Sequence, residues 1–155
     1  MAQAMTIPTR LGFGHEPKSA LRTQFGALCY RPVGNGLEVL LITSRDTGRW
    51  IVPKGWAIDG LTPAQTALRE AEEEAGVEGR ALDACVGFFD YIKRIEDGTD
   101  LPCLVAVFPV RVRGLRDDYP EAAERRRKWF SPRKAATKVD EPGLRRILLE
   151  FRPPA

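Results

Sequence analysis

The sequence predicts an α/β protein in which helices pack on a mixed β-sheet. Two observations carry this reading. Strand-like and helix-like segments follow one another as three strands, one helix, three strands and two helices, an order that builds layers of helix on sheet. The central helix also has start and stop signals at both ends, which fixes where the two strand sets divide.

Residues 24–30 and 37–43 alternate as strands and are joined by Pro32-Val33-Gly34-Asn35-Gly36, a turn-rich hairpin connection. Ile51-Val52 continues the strand set. The chain then enters a Pro53-Lys54-Gly55-Trp56 loop, and Thr62-Pro63-Ala64-Gln65 opens the helix. Thr62 suits the N-cap, Pro63 the first helical position, and Gln65 completes a capping box. Ala64, Ala67, Leu68, Ala71 and Ala75 form an apolar stripe, and Gly76 suits a left-handed C-cap. Residues 81–94 and 101–112 are longer runs rich in β-branched and aromatic residues, separated by a second hairpin signal, Glu96-Asp97-Gly98-Thr99-Asp100. Lys128-Trp129-Phe130 suits a last short strand, and Ser131-Pro132 starts a helix. A final helix over about 141–151 places Leu144, Ile147, Leu148 and Phe151 on one face.

With 155 residues the chain is long enough to bury a core without covalent staples. It holds no apolar run approaching the roughly 18–20 residues that span a membrane. Residues 1–20 carry Pro8, Arg10, Gly12, Gly14, Pro17 and Lys18 where a signal peptide would need an apolar core. They read as a flexible N-terminal arm, and 21–155 as a single domain. Cys29, Cys85 and Cys103 are odd in number and sit in apolar segments, so they read as buried thiols in a reducing cytoplasm. His15, the one histidine, falls in the arm and receives no role.

Chemistry concentrates in Arg69-Glu70-Ala71-Glu72-Glu73-Glu74-Ala75-Gly76-Val77. Residues three and four apart share a helix face, so Glu70, Glu73 and Glu74 are expected to converge on one point. A Glu-rich helix can be no more than a solvated face. The capped helix after a Pro/Gly loop instead presents small residues to a core and carboxylates to a cleft, and so many carboxylates ask for a cation. Hard ions such as Mg²⁺ take oxygen ligands and bridge to substrate phosphates, which points to phosphate chemistry.

The segment resembles the Nudix box, whose pattern is Gly, five residues, Glu, seven residues, then Arg-Glu-apolar-any-Glu-Glu-any-Gly-apolar. Gly55 opens it, and Arg69, Glu70, Ala71, Glu73, Glu74, Gly76 and Val77 close it at the right spacing. Leu61 stands where the pattern has its first Glu. Over residues 25–138 the chain is similar to the diphosphoinositol polyphosphate phosphohydrolase branch, through Gly26 to Arg31, Leu37 to Arg45, Gly48 to Pro53, Gly87 to Tyr91 and Arg125 to Phe130. It departs from that branch at Lys54-Gly55-Trp56, where animal members have three glycines, and its Pro53-Lys54-Gly55 is also found in the asymmetric diadenosine tetraphosphatases. Of the basic residues placed before the first strand, Arg22 remains, while Thr23 and Gln24 are uncharged.

The resemblance implies the Nudix fold, an α/β/α sandwich, and hydrolysis of a phosphoanhydride bond with Mg²⁺ or Mn²⁺. It implies that Glu70, Glu73, Glu74 and the Gly55 carbonyl ligate the metal, that one of these glutamates can instead activate water, and that Arg69 orients a neighbouring carboxylate. A further acid from the loop before the last strand is expected from Glu121 or Glu124, with Glu124 taken as the metal ligand. Arg45, Arg49, Lys54, Lys93 and the run Arg125-Arg126-Arg127-Lys128, above all Arg126 and Lys128, are the expected substrate cations. Guanidinium suits phosphate bidentately and ammonium acts as a point charge. A small-molecule polyphosphate, either diphosphoinositol polyphosphate or dinucleoside polyphosphate, is therefore the expected substrate of a cytoplasmic monomer or homodimer. No membrane partner is expected and, without an aromatic-studded platform, no nucleic acid. Two other readings stay open: an ADP-ribose or ADP-sugar pyrophosphatase, and a non-catalytic phosphate-ligand-binding module marked by Leu61.

Overall fold

The computed structural model describes residues 22–154. The arm expected over 1–20 lies outside them. Four strands come first: β1 (Arg22–Val33), β2 (Gly36–Thr43), β3 (Trp50–Ile51) and β4 (Lys54–Trp56). Helix α1 (Pro63–Ala75) follows, then β5 (Val77–Ala81), β6 (Gly87–Arg94), β7 (Asp100–Leu115) and β8 (Arg127–Phe130). Helices α2 (Pro132–Lys138) and α3 (Pro142–Glu150) end the chain.

All eight strands belong to one mixed sheet in which β1 and β7 run parallel and every other pairing is antiparallel. Side chains alternate across it, as the two-residue strand period requires. Phe25, Ala27 and Cys29 of β1 face α1 with Leu40, Ile42, Phe108 and Val110. Leu28, Tyr30, Val39, Leu41, Val105 and Val107 face the layer formed by α2 and α3. The result is the α/β/α sandwich with a mixed sheet that the sequence predicts. No helix among the described residues is long and apolar enough to cross a membrane.

Two strands exceed the sequence expectation. β1 and β2 pair only from Tyr30 to Val33 against Gly36 to Val39 and then diverge. The segment 50–56 fills the wedge, pairing first with β2 as β3 and then with β1 as β4. A three-residue strand made of Lys54, Gly55 and Trp56 has no pattern of its own, so only its tertiary partner reveals it. The run 81–94 is not one strand either. β5 pairs with the far half of β7 and β6 with its near half, so the chain leaves the ladder between Ala81 and Gly87 to pass from one to the other.

Helix α1 starts and stops as its sequence says. Thr62 accepts from the Gln65 N–H and the Gln65 side chain accepts from the Thr62 N–H, so the capping box is closed. Ala64, Ala67, Ala71 and Ala75 are buried against the sheet, while Leu68 of the expected stripe is only half-buried. Methyl side chains let the helix lie close to β1 and β4, and that close approach brings its carboxylates to the wedge strand. Gly76 is left-handed at φ 65°. The last carbonyls of the helix are met by the loop before β8: the Glu121 N–H reaches the Glu73 carbonyl at 3.1 Å, and Arg127 Nη1 reaches that of Ala75 at 2.8 Å.

A side chain at Gly76 would place its Cβ 2.5 Å from a Tyr119 ring carbon and 2.8 Å from the Arg116 carbonyl. Gly76→Ala therefore adds a steric conflict to a left-handed backbone and is expected to cost about 2 kcal/mol or more. Urea unfolding with an unchanged m-value would measure it, and a loss below roughly 0.5 kcal/mol would refute the account of this cap.

Candidate active site

The capped helix sets the angular order of the glutamates. A step of about 100° per residue puts Glu73 and Glu74 on either side of Glu70, about 100° apart around the axis. Glu74 turns in toward the sheet and is only 4% exposed. Its Oε1 lies 3.2 Å from Arg125 Nη2, and its Oε2 accepts from the Lys54 N–H at 3.1 Å. Burial pushes the Glu74 carboxyl up to about 8, with the Arg125 guanidinium and then the Lys54 ammonium opposing it. Glu70 is also held above the ordinary carboxylate range, first by burial and then by the charge of Glu73, while a hydrogen bond to Glu74 works the other way.

Glu70 lies directly on the wedge strand. A Cβ on Gly55 would fall 2.4–2.6 Å from the carboxyl atoms of Glu70, so the carboxylate occupies the space that a side chain at this position would take.

Glu73 and Glu74 both act on Glu70, but they open onto different spaces. Glu74 lines a cleft of about 590 Å³, whereas Glu73 lines one of about 440 Å³ beside Tyr119 and Arg116. Among the described residues no three His, Cys, Asp or Glu side chains are grouped so as to hold a metal ion. The cause is the helix geometry: residues three and four apart share a broad face, but the two outer carboxylates point to different sides of it. Arg69 pairs with exposed Glu72, Nε to Oε2 at 3.6 Å, and not with Glu70, Glu73 or Glu74.

The larger cleft gathers Arg45, Arg49, Lys54 and Lys93, together with Arg125. These cations come with partners already in place. Arg45 Nη1 stands 3.5 Å from Glu121 and 3.7 Å from Glu124. Arg49 Nη1 bonds Oε1 of buried Glu141 and lies 3.8 Å from Asp140. The second carboxylate oxygen of Glu141 is buried with no hydrogen-bond partner. Lys54 holds its ammonium 4.8 Å from the centre of the Tyr91 ring, and the Tyr91 hydroxyl donates to Gln24 Oε1 at 2.6 Å. Burial lowers the Lys54 ammonium to about 8 despite the pull of Glu74. Lys93 stands 5.2 Å from the Trp56 ring centre.

Arg126 and Lys128 do not line this cleft; they stand over Trp50 and Phe130 instead. Strand alternation is the reason. Arg125 and Arg127 turn toward α1, so the neighbours in between must turn away. Glu124, too, is half exposed, and among the described residues its carboxylate pairs with Arg45 alone, whereas Glu121 accepts from Arg125 Nε at 3.1 Å and raises the carboxyls of both Glu70 and Glu74. Arg125 and Glu121 are thus the loop residues that reach the carboxylates. The period of two along Arg125-Arg126-Arg127-Lys128 was the available signal, but its parity is set only by the strand's partner.

A model of the NUDIX domain matches residues 20–151. The protein named Nudix hydrolase 12, mitochondrial, from Arabidopsis thaliana is 32% identical over 120 residues, 76% of this chain and 59% of that one. Diphosphoinositol polyphosphate phosphohydrolase 3-alpha from Mus musculus is 34% identical over 105 residues, 66% of this chain and 60% of that one. The chain thus spans about three fifths of the length of these curated relatives. In shape it is similar to the Ap4A hydrolase of C. elegans, with a TM-score of 0.58 and 21% identity over 83% of this chain and 94% of that one. At that identity the likeness speaks for the fold. With the family model covering the sheet and its helices, and with the motif from Gly55 to Val77 running from the wedge strand through the capped helix α1 to the start of β5, the chain belongs to the NUDIX domain family.

Proposed function

We propose that this chain is a divalent-metal-dependent pyrophosphohydrolase that cleaves a phosphoanhydride bond in a polyanionic small molecule, a diphosphoinositol polyphosphate or a dinucleoside polyphosphate. One observation carries the reading: the Glu70 carboxylate of α1 lies against Gly55, and Glu74, one turn on, lines a cleft with Arg45, Arg49, Lys54, Lys93 and Arg125. Acid next to base, in one concave place, is what phosphate chemistry asks for.

The residues fit a hard cation. The donors are all oxygens, and Glu70 is held above its ordinary range by burial and by Glu73, a strain that a positive ion relieves. Mg²⁺ binds through one or two carboxylates and keeps waters or phosphate oxygens for the rest, so three gathered glutamates are not needed. Glu70, Glu73, Glu74 and the Gly55 carbonyl would hold Mg²⁺ or Mn²⁺, with Glu121 as a further acid of the cluster. The bound ion would neutralise phosphate charge and polarise the bond to be broken.

The chain's own residues do the rest. A glutamate of the set that is not holding the ion would accept a proton from an attacking water. Arg45, Arg49, Lys54 and Lys93 bind the phosphate chain, and Gln24 fixes Tyr91 under the Lys54 ammonium. A row of cations favours long phosphate chains over the neutral sugar of ADP-ribose. The three free cysteines support a reducing compartment, and cytoplasm is the proposed one, although two relatives carry mitochondrial and chloroplastic names. The binding-module reading draws on Leu61 and on the double engagement of Glu74.

Release of phosphate or nucleotide with Mg²⁺ or Mn²⁺ is to be followed across diadenosine polyphosphates, diphosphoinositol polyphosphates, ADP-ribose and nucleoside triphosphates. Turnover is expected to require the metal and to fall about 100-fold or more in Glu73→Gln. Binding of these ligands with no turnover on any of them would favour the module instead.

Gly55→Ala separates site from fold. Its Cβ meets the mobile end of Glu70, which can swing aside, so stability should change by less than about 1 kcal/mol while kcat/KM falls by roughly tenfold or more. Equal activity in the variant would show that the Glu70 position against this strand does not matter.

A further inference from the structure

Arg125 is the most thoroughly engaged cation of the cleft. Its side chain is 8% exposed. Nη1 donates to the Thr43 carbonyl at 3.1 Å, Nε donates to Glu121 Oε1 at 3.1 Å, and Nη2 faces both Glu121 Oε1 at 3.1 Å and Glu74 Oε1 at 3.2 Å. The other oxygen of Glu74 is taken by the Lys54 N–H. Glu74 therefore has no oxygen without a protein donor, although it shares a hydrogen bond with Glu70, the carboxylate that lies on Gly55.

Two positive charges cannot share one carboxylate oxygen at contact distance without a Coulomb penalty, and the penalty is largest where water is excluded. A guanidinium parked on Glu74 lowers the attraction of the cluster for any incoming cation. It also keeps a buried carboxylate aligned when no such cation is bound.

We propose that Arg125 is the resident counter-ion of the carboxylate cluster: it positions Glu74 in the metal-free protein, competes with the divalent cation for it, and is displaced from Glu74 as the cation binds. The proposal rests on the divalent-cation reading given above. Arg125 acts through Glu74 and is a positioning residue. Thr43 and Glu121 supply the alternative partners that keep the guanidinium in place once Glu74 is released.

The test uses Mn²⁺ alone, without substrate, titrated into the full chain by calorimetry or by electron paramagnetic resonance. Arg125→Gln is expected to bind Mn²⁺ roughly tenfold more tightly than the wild type, since a charged hydrogen bond no longer has to be broken. Arg125→Lys, which restores the charge, is expected to return the affinity to within about threefold of the wild type. Damage to the fold would weaken binding, so tightening cannot come from a structural defect. Unchanged or weaker binding in a folded Arg125→Gln overturns the proposal while leaving the divalent-cation reading intact. A wild type that binds no Mn²⁺ overturns both.

A second measurement covers the case in which Arg125→Gln does not fold. Arginine side-chain NMR of the wild type follows the Arg125 Nε–H during Mg²⁺ addition, with Arg125→Lys providing the assignment. A shift that saturates together with Mg²⁺ binding is the expected result. A resonance that stays fixed while Mg²⁺ saturates overturns the displacement.

Discussion

The carboxylate of Glu74 is the joint on which the site depends. It hangs from α1, accepts the N–H of Lys54 on the wedge strand and faces Arg125 from the loop before β8. Three elements far apart in sequence are thereby tied at one buried point. Removing one partner of such a joint leaves a charge without compensation, and a buried uncompensated charge costs several kcal/mol. The Lys54 N–H matters as much as the guanidinium, because it fixes the backbone of the strand on which Gly55 offers its bare surface to Glu70.

That joint forms because the sheet splits. β1 and β2 diverge, β3 and β4 fill the gap, and the fill is the floor between the acidic helix and the basic cleft. The alanine stripe then lets α1 settle onto it. The cleft arginines Arg45, Arg49 and Arg125 are already paired with Glu121, Glu124, Asp140, Glu141 or Glu74, so each of these guanidinium groups has a carboxylate partner before any ligand arrives. One carboxylate oxygen, Oε2 of Glu141, is left buried without a hydrogen-bond partner behind Arg49, the kind of unfavourable arrangement that functional sites retain.

Local signals were readable from sequence, and tertiary ones were not. The Thr62 and Gln65 box, the Pro63 start and the left-handed Gly76 are chemistry between near neighbours, and each stands where the sequence puts it. β4 and β5 have no such signature. They are strands because β1 and β7 offer them an edge. The glutamates are legible as a cluster, and the step of about 100° between Glu73 and Glu74 already sets them on different sides of the helix; which of the two is buried against the sheet depends on how α1 docks. The sequence does not single out Arg125 from Arg126 and Lys128 within the basic run, because a strand's period is written in its sequence while the face it buries is set by its neighbour.

The parallel pairing of β1 with β7 joins the first strand to one that the ribosome delivers much later. Until Asp100–Leu115 has emerged, Phe25, Ala27 and Cys29 lack Phe108 and Val110 beside them, and the alanine stripe of α1 has only part of its floor. Early hairpins can form at once, yet the layer that seats the acidic helix must wait for a non-local closure, the step that slows sheets of this kind. The nascent chain therefore displays a carboxylate-rich, half-docked helix for the time it takes to synthesise β5 to β7. The buried joint at Glu74 closes only when the Arg125 loop arrives to hold it.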